Sequence, residues 1–352
     1  MNKEMKIIDV DVHNDLKSHM DLVPYLPEPW KSRVASTGLG LVQHGYWTPV
    51  GVVREDCKPP SGGPAASDPD YLVQDLVEGY NMKYVILTSS IIHISSLHDP
   101  DYTAAVCSAY NDYLIAEWLP RHKSFKGAIL VSTLDPNLAA KEIERLAGHP
   151  DIVEVLFSSG ARSPLGQRQY HPIYEAAHRH NLPVAIHIGG EGAGGATAPT
   201  AAGYPSRYIE WHTNVSQTYM AHLVSMVTEG VFEKFPRLKF VMKEGGIAWL
   251  PHLMWRLDKN YKGLRYELPW LKRLPSEYIR DHCFFSTQPI EEPSNPKDLI
   301  TLFDMIDAEN FLLFSSDYPH WDNDVPTEIL KRLGSEARQK IFHDNAQRLY
   351  RL

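Results

Sequence analysis

Cysteine is scarce in this chain: Cys57, Cys107 and Cys283 are its only three in 352 residues, and no two share a short spacing. That excludes a disulfide framework and a cysteine-built zinc site. Long apolar runs are missing as well. No window approaches the ~20 apolar residues of a membrane span, and the opening "MNKEMKIIDV" lacks the apolar core of a secretory signal. The expectation is therefore a cytoplasmic protein with no membrane partner. Basic excess is also absent. Lys and Arg number 35 against 43 Asp and Glu, a formal charge of −8, and no basic cluster offsets it, which argues against nucleic acid as a partner. Neither an internal repeat nor a low-complexity tail is visible.

What is present is an ordinary globular composition, 43% hydrophobic and 22% charged. Short, near-continuously apolar runs recur at Lys6–Val12, Lys83–Ser90, Phe125–Ser132, Ile152–Ser159, Pro183–Gly190, Leu238–Gly245, Cys283–Pro289 and Phe311–Asp317. This is the pattern of parallel strands covered on both faces. Helical stretches separate them: Asp101–Arg121, Asn137–Gly148, Pro172–Asn181, Val215–Lys234, Asn295–Ala308 and Ser335–Tyr350. Asp135-Pro136 and Ser335-Glu336 read as helix starts, and Gly148 as a stop. Eight strand–helix units predict an α/β fold of the (β/α)8 TIM-barrel type, spanning 1–352 as a single domain. An open doubly wound sheet would carry a Gly-rich phosphate turn after its first strand, and none is there. Three stretches, Asp15–Asp68, Glu191–Asn214 and Asn260–Asp281, read as long irregular insertions. The first two follow strands directly, which puts them at the C-terminal mouth as a roof or a subunit interface, and a homo-oligomer (dimer or tetramer) is expected.

Barrel chemistry sits where strands end. In "IIDVDVHND" the alternation of a strand points Asp9, Asp11 and His13 to one face, an expensive cluster unless a cation compensates it. The fifth run carries His187, the sixth ends in Lys243-Glu244 and the eighth in Asp317. Two imidazoles with two or three carboxylates make a mixed N/O site suited to Zn or Mn, with Fe or Co also compatible. Each residue has a plainer use. Asp317 in "SSDYP" suits a turn cap, His187 a core position, Asp9 a support beneath the site, and Glu244 an ion pair with Lys243.

Four segments carry a family resemblance: "IIDVDVHND", "QRQYHPIYEAAHRHNLPVAIHIGG", "KFPRLKFVMKEGGIAWLPHLMWRLD" and "LLFSSDYPHWDND". Together they resemble the amidohydrolase superfamily. The resemblance is to the amidohydrolase-related branch that contains aminocarboxymuconate-semialdehyde decarboxylase and the resorcylate- and carboxyvanillate-type decarboxylases. It implies a metal held by Asp11, His13, His187 and Asp317. Asp11 stands where much of the superfamily has the first histidine of a His-x-His pair, and Glu244 lies near a position that is often histidine. The fourth run, "IVEVLFSS", has no lysine to carbamylate, so one metal is the simpler expectation, with Glu244 the additional ligand if there are two.

The resemblance further implies a non-oxidative decarboxylase (carboxy-lyase) of a small aromatic or unsaturated carboxylate. Metal-dependent hydrolysis of a C–N, C–O or C–C bond is the alternative, followed by a dinuclear-metal monooxygenase or its partner subunit. Asp317, His212 and His320 are the expected acid–base groups, and His93 and Arg162 the expected substrate contacts. For His93 and His212 a packing or solvent-facing role has equal standing, and a basic loop residue such as Arg162 usually does nothing so specific. His171 and Glu175 read as helix-start structure.

Overall fold

The apolar runs form eight parallel strands in the computed structural model, which describes residues 5–41, 52–194 and 196–352. They are β1 (Ile7–Asn14), β2 (Met82–Ser89), β3 (Phe125–Leu130), β4 (Ile152–Ser158), β5 (Val184–His187), β6 (Phe240–Lys243), β7 (Cys283–Ser286) and β8 (Leu312–Leu313). Each pairs with the next in chain order. Closure comes from the chain just past β8. Phe314 O accepts from Val10 N–H at 3.0 Å, Asp317 N–H donates to Asp11 O at 3.0 Å, and His13 N–H donates to Tyr318 O at 2.8 Å. The expected (β/α)8 barrel is what the chain builds. Every residue of β1 is buried, as a strand with helices outside and packed side chains inside requires.

Helix starts follow one local rule. Asp68, Asp99, Asp135 and Asn295 each accept backbone N–H groups of the first turn, and each is followed by proline at the first helical position. The short side chain satisfies donors that the helix leaves unpaired, and proline loses nothing there because its N–H is missing anyway. Ser335 also begins a helix, as expected, but without this rule. Gly334 takes the cap position and Ser335 begins the helix without a side-chain cap.

Two expected elements are drawn differently. Val215–Lys234 is not one helix but Ser216–Thr228 and Val231–Lys234. Gly230 between them is left-handed at φ +71°, and a Cβ there would meet the Trp270 ring at 2.5 Å. Asn260–Asp281 is largely helical, lying between and within Leu250–Leu264 and Pro275–His282. Leu250, Leu253, Met254 and Leu257 are buried at the i, i+3, i+4, i+7 spacing of a helix face. The insertion Asp15–Asp68 contains a helix at Trp30–Thr37, and Glu191–Asn214 ends in one at Tyr208–Asn214. Positions 42–51 of the first and 195 of the second lie outside the described residues. Among the described residues no helix is long and apolar enough to cross a membrane.

Candidate metal centre

The inward-facing ends of β1 and β5 converge with the chain just past β8. Asp11, His13, His187 and Asp317 are all buried, and one ligand atom from each lies within 4.8 Å of every other. Asp317 reaches the cluster through a left-handed backbone at φ +58°, a conformation that costs free energy for a residue with a Cβ and collects at functional sites. The donor atoms are unspent. Asp11 Oδ2, His13 Nε2, His187 Nε2 and Asp317 Oδ2 are buried with no hydrogen-bond partner, although buried polar groups almost always have one. Donors about 2.0–2.2 Å from a shared first-row ion stand roughly 3–4 Å apart. The observed His13 Nε2–Asp317 Oδ1 and His187 Nε2–Asp11 Oδ2 separations are 2.9 and 3.3 Å. Two imidazole nitrogens and two carboxylates in this arrangement fit a divalent first-row ion.

The surroundings set the charge and aim of each donor. His187 Nδ1 donates to Ile188 O at 2.7 Å, which leaves the Nε2 lone pair facing the cluster. Burial alone would lower the pKa of His187, yet Asp11, Glu244 and Asp317 raise it to about 10. The surrounding carboxylates thus draw positive charge to this point. Burial and then the charge of His320 push His13 down, which favours a neutral, ligating imidazole. Burial would raise Asp11, but His187 and Lys243 outweigh it and hold the carboxylate ionised. Asp317 is likewise held down, at about 2, by His320 and His13 against the effect of burial.

Beneath the cluster runs a buried polar chain. Thr88 Oγ1 donates to Asp11 Oδ1 at 2.5 Å and receives from Lys243 Nζ at 3.1 Å. Lys243 pairs with Glu154 of β4 at 2.6 Å, and Tyr350 donates to the other Glu154 oxygen at 2.8 Å. The expected Lys243–Glu244 ion pair is thus replaced by Lys243–Glu154. Adjacent residues at the end of β6 point apart, Lys243 into the barrel interior and Glu244 toward the mouth. Asp9 supports the floor, its Oδ1 accepting the N–H groups of Asp11 and Ser316 at 3.1 and 3.0 Å.

Above the cluster opens a cavity of about 610 Å³, walled by His93, Tyr208, Trp211, Glu244, His320 and Asp322 among others. Of the residues singled out from sequence, His320 sits with Nδ1 2.8 Å from Asp317 Oδ1. His212 Nε2 lies 3.3 Å from Glu244 Oε1, and Glu244 Oε2 lies 3.1 Å from His187 Nε2. His93 lines the cavity on the segment Ile92–Ser96, and burial lowers its pKa to about 4. Arg162 does not join them. It is exposed and absent from the cavity wall, because the chain after β4 leaves the mouth for the outer helix His171–His180. His171 opens that helix, and Glu175 on it pairs with Arg179. Asp322 was not singled out, although it follows Asp317 by five positions in the quoted "SSDYPHWDND".

Fold and cluster together define the class: a (β/α)8 barrel with an imidazole–carboxylate metal cluster at the C-terminal ends of its strands. The chain belongs to the amidohydrolase family, whose model matches residues 56–352. It is similar to a gamma-resorcylate decarboxylase of Polaromonas sp. strain JS666, 25% identical over 301 residues that cover 79% of this chain and 86% of that one. Among solved structures, an amidohydrolase from Mycobacterium avium subsp. paratuberculosis superposes with a TM-score of 0.76 at 20% identity, covering 99% of both chains. A 5-carboxyvanillate decarboxylase from Novosphingobium aromaticivorans, complexed with manganese and 4-hydroxy-3-methoxy-5-nitrobenzoic acid, gives 0.73 at 18% identity over 100% of this chain and 97% of that one.

Proposed function

We propose that this protein is a metal-dependent, non-oxidative decarboxylase of a small aromatic carboxylate. The observation that carries the proposal is the set of four unsatisfied, buried donor atoms beneath a cavity with aromatic walls, two of them on His13 and His187 of its lining. The names of its relatives support the same chemistry. Asp11, His13, His187 and Asp317 would hold the ion. When bound, it supplies Lewis-acid stabilisation of charge on the substrate's oxygens as the carboxyl carbon separates from the ring.

The remaining work falls to side chains. Tyr208 and Trp211 offer flat faces for a ring (their own centroids are 5.5 Å apart). The cavity volume lies in the range of small-molecule sites, and closing it around the ring orients the carboxylate and excludes water. Loss of CO2 leaves an electron pair on the ring carbon that must take up one proton. His320 is placed to hold it. Burial would lower its pKa, but the Asp317 carboxylate at 2.8 Å raises it to about 9. Asp317 and His320 thus act as one acid–base pair, with Asp317 keeping the proton on the imidazole until the carbon claims it.

A panel of hydroxybenzoates and unsaturated carboxylates, assayed for CO2 release in D2O, tests this. Deuterium at the former carboxyl-bearing carbon is the expected result. Turnover confined to amides or lactones would replace the proposal with metal-assisted hydrolysis.

A further inference from the structure

We propose that the cavity holds a second divalent cation, on Glu244, His212 and Asp322, with Glu244 bridging it to the first cluster. One ligand atom from each of these residues lies within 4.8 Å of the others. The separations are telling. His212 Nε2 stands 3.3 Å from Glu244 Oε1 and 3.5 Å from Asp322 Oδ2. A charged N–H···O bond closes to about 2.7–2.9 Å, and one Nε2–H serves one acceptor well. His212 Nε2 thus faces two carboxylates without closing on either, the spacing of ligands around an ion.

Glu244 has the placement of a bridge. Its backbone is left-handed at φ +57°, its N–H is tied to Ser286 Oγ at 2.9 Å, and its side chain is only 6% exposed. One carboxylate oxygen faces His187 of the first cluster and the other faces His212. Asp322 Oδ2 is buried without a hydrogen-bond partner, the same mark that the first four donors carry.

Charge balance points the same way. Asp11, Glu244, Asp317 and Asp322 bring four carboxylates to the cavity and the cluster beneath it, more negative charge than one divalent ion neutralises. The nearby lysines are committed elsewhere. Lys243 lies 2.6 Å from Glu154 and 3.9 Å from Asp11. Lys58, the one lysine or arginine lining the cavity among the described residues, pairs with Glu55 at 2.6 Å. Partly desolvated carboxylates left in excess are costly, and a second divalent ion lowers that cost.

The inference concerns stoichiometry and stands independently of decarboxylation. Full-length protein is stripped with chelator, dialysed against graded Mn2+ and assayed for bound manganese by mass spectrometry. Low-temperature electron paramagnetic resonance is recorded on the same samples. Two equivalents are expected, with the isolated-ion signal at one equivalent giving way to an exchange-coupled signal at two. Asp322→Asn, nearly isosteric, and His212→Gln should each reduce binding to one equivalent and abolish the coupled signal. Saturation of the wild type at one equivalent, with Asp322→Asn unchanged, would overturn the second site and make His212 the shared hydrogen-bond partner of two carboxylates. Manganese-soaked crystals of the wild type give a check that needs no variant, since two anomalous peaks are expected and a single peak refutes the proposal. Two ions without CO2 release would keep this inference and sink the decarboxylase reading, and one ion with CO2 release would do the reverse.

Discussion

At the scale of single residues, the decisive feature is the contrast between buried groups that are satisfied and those that are not. His187 spends Nδ1 on a backbone carbonyl and leaves Nε2 idle. His187→Ala should therefore lower metal affinity by roughly 10²-fold or more, beyond the 10–100-fold seen when only an outer partner of a ligand is lost. Far-ultraviolet circular dichroism should be unchanged, because the apolar faces of β5 remain. Lys243 is the opposite case, a fully buried charge with a close partner in Glu154. Removing one member of such a pair costs about 3–5 kcal/mol because the other stays charged and buried, whereas removing both can be nearly neutral. Lys243→Met should be strongly destabilised in urea denaturation, and the double variant Lys243→Met/Glu154→Gln should recover most of the loss. Equal stability of the single and double variants would show that the loss does not come from an uncompensated Glu154 carboxylate.

At the scale of elements, the long segment after β5 matters because it leaves the barrel and returns as a cavity wall at Tyr208 and Trp211. Its course is pinned where Gly194 passes the segment Ile92–Ser96, which carries His93. Gly194 has φ +53°, and a Cβ would lie 1.8 Å from Ser96 O. Gly194→Ala should displace one segment from the other, costing about 1–3 kcal/mol. On the decarboxylase reading, KM for the carboxylate should rise several-fold with a smaller change in kcat, since the metal cluster on β1, β5 and the chain just past β8 is untouched. A kcat loss with KM unchanged would mean that this wall does not hold substrate.

At the scale of the whole molecule, stability should respond to acid through histidines that fold as neutral groups. His222 is buried between the turn that carries Leu165, whose N–H donates to Nδ1 at 3.2 Å, and Ser159 O, which accepts from Nε2 at 2.8 Å. Burial lowers its pKa to about 4 from 6.5. Between those values the unfolded chain binds a proton that the folded protein refuses, so stability is fully present above about pH 6.5 and falls as pH drops toward 4. His222 alone contributes up to about 3 kcal/mol of that loss. Chemical denaturation at stepped pH should show this slope in the wild type and a shallower one in His222→Gln. An equal slope in both would assign the acid lability to other groups.

By itself the sequence determined the barrel and most of its cluster. Strand-length apolar runs can be buried only on both faces, period-two alternation forces Asp11 and His13 inward together, and strand ends are where a barrel exposes polar groups. The helix Leu250–Leu264 is not read from the sequence: its apolar spacing at 250, 253, 254 and 257 runs into a charged stretch that reads as an irregular insertion. Only the tertiary structure decided which partner each buried charge meets. Lys243 and Glu244 are neighbours in the chain, yet one faces Glu154 across the barrel and the other faces two histidines at the mouth. Arg162 looked like a substrate contact, but its position relative to the cavity depends on where the chain turns after β4, which no local pattern encodes. Asp322 and His212 lie 110 positions apart. Their meeting over Glu244 is set by loops packing on a closed barrel, where burial and charge act between residues that sequence order keeps far apart.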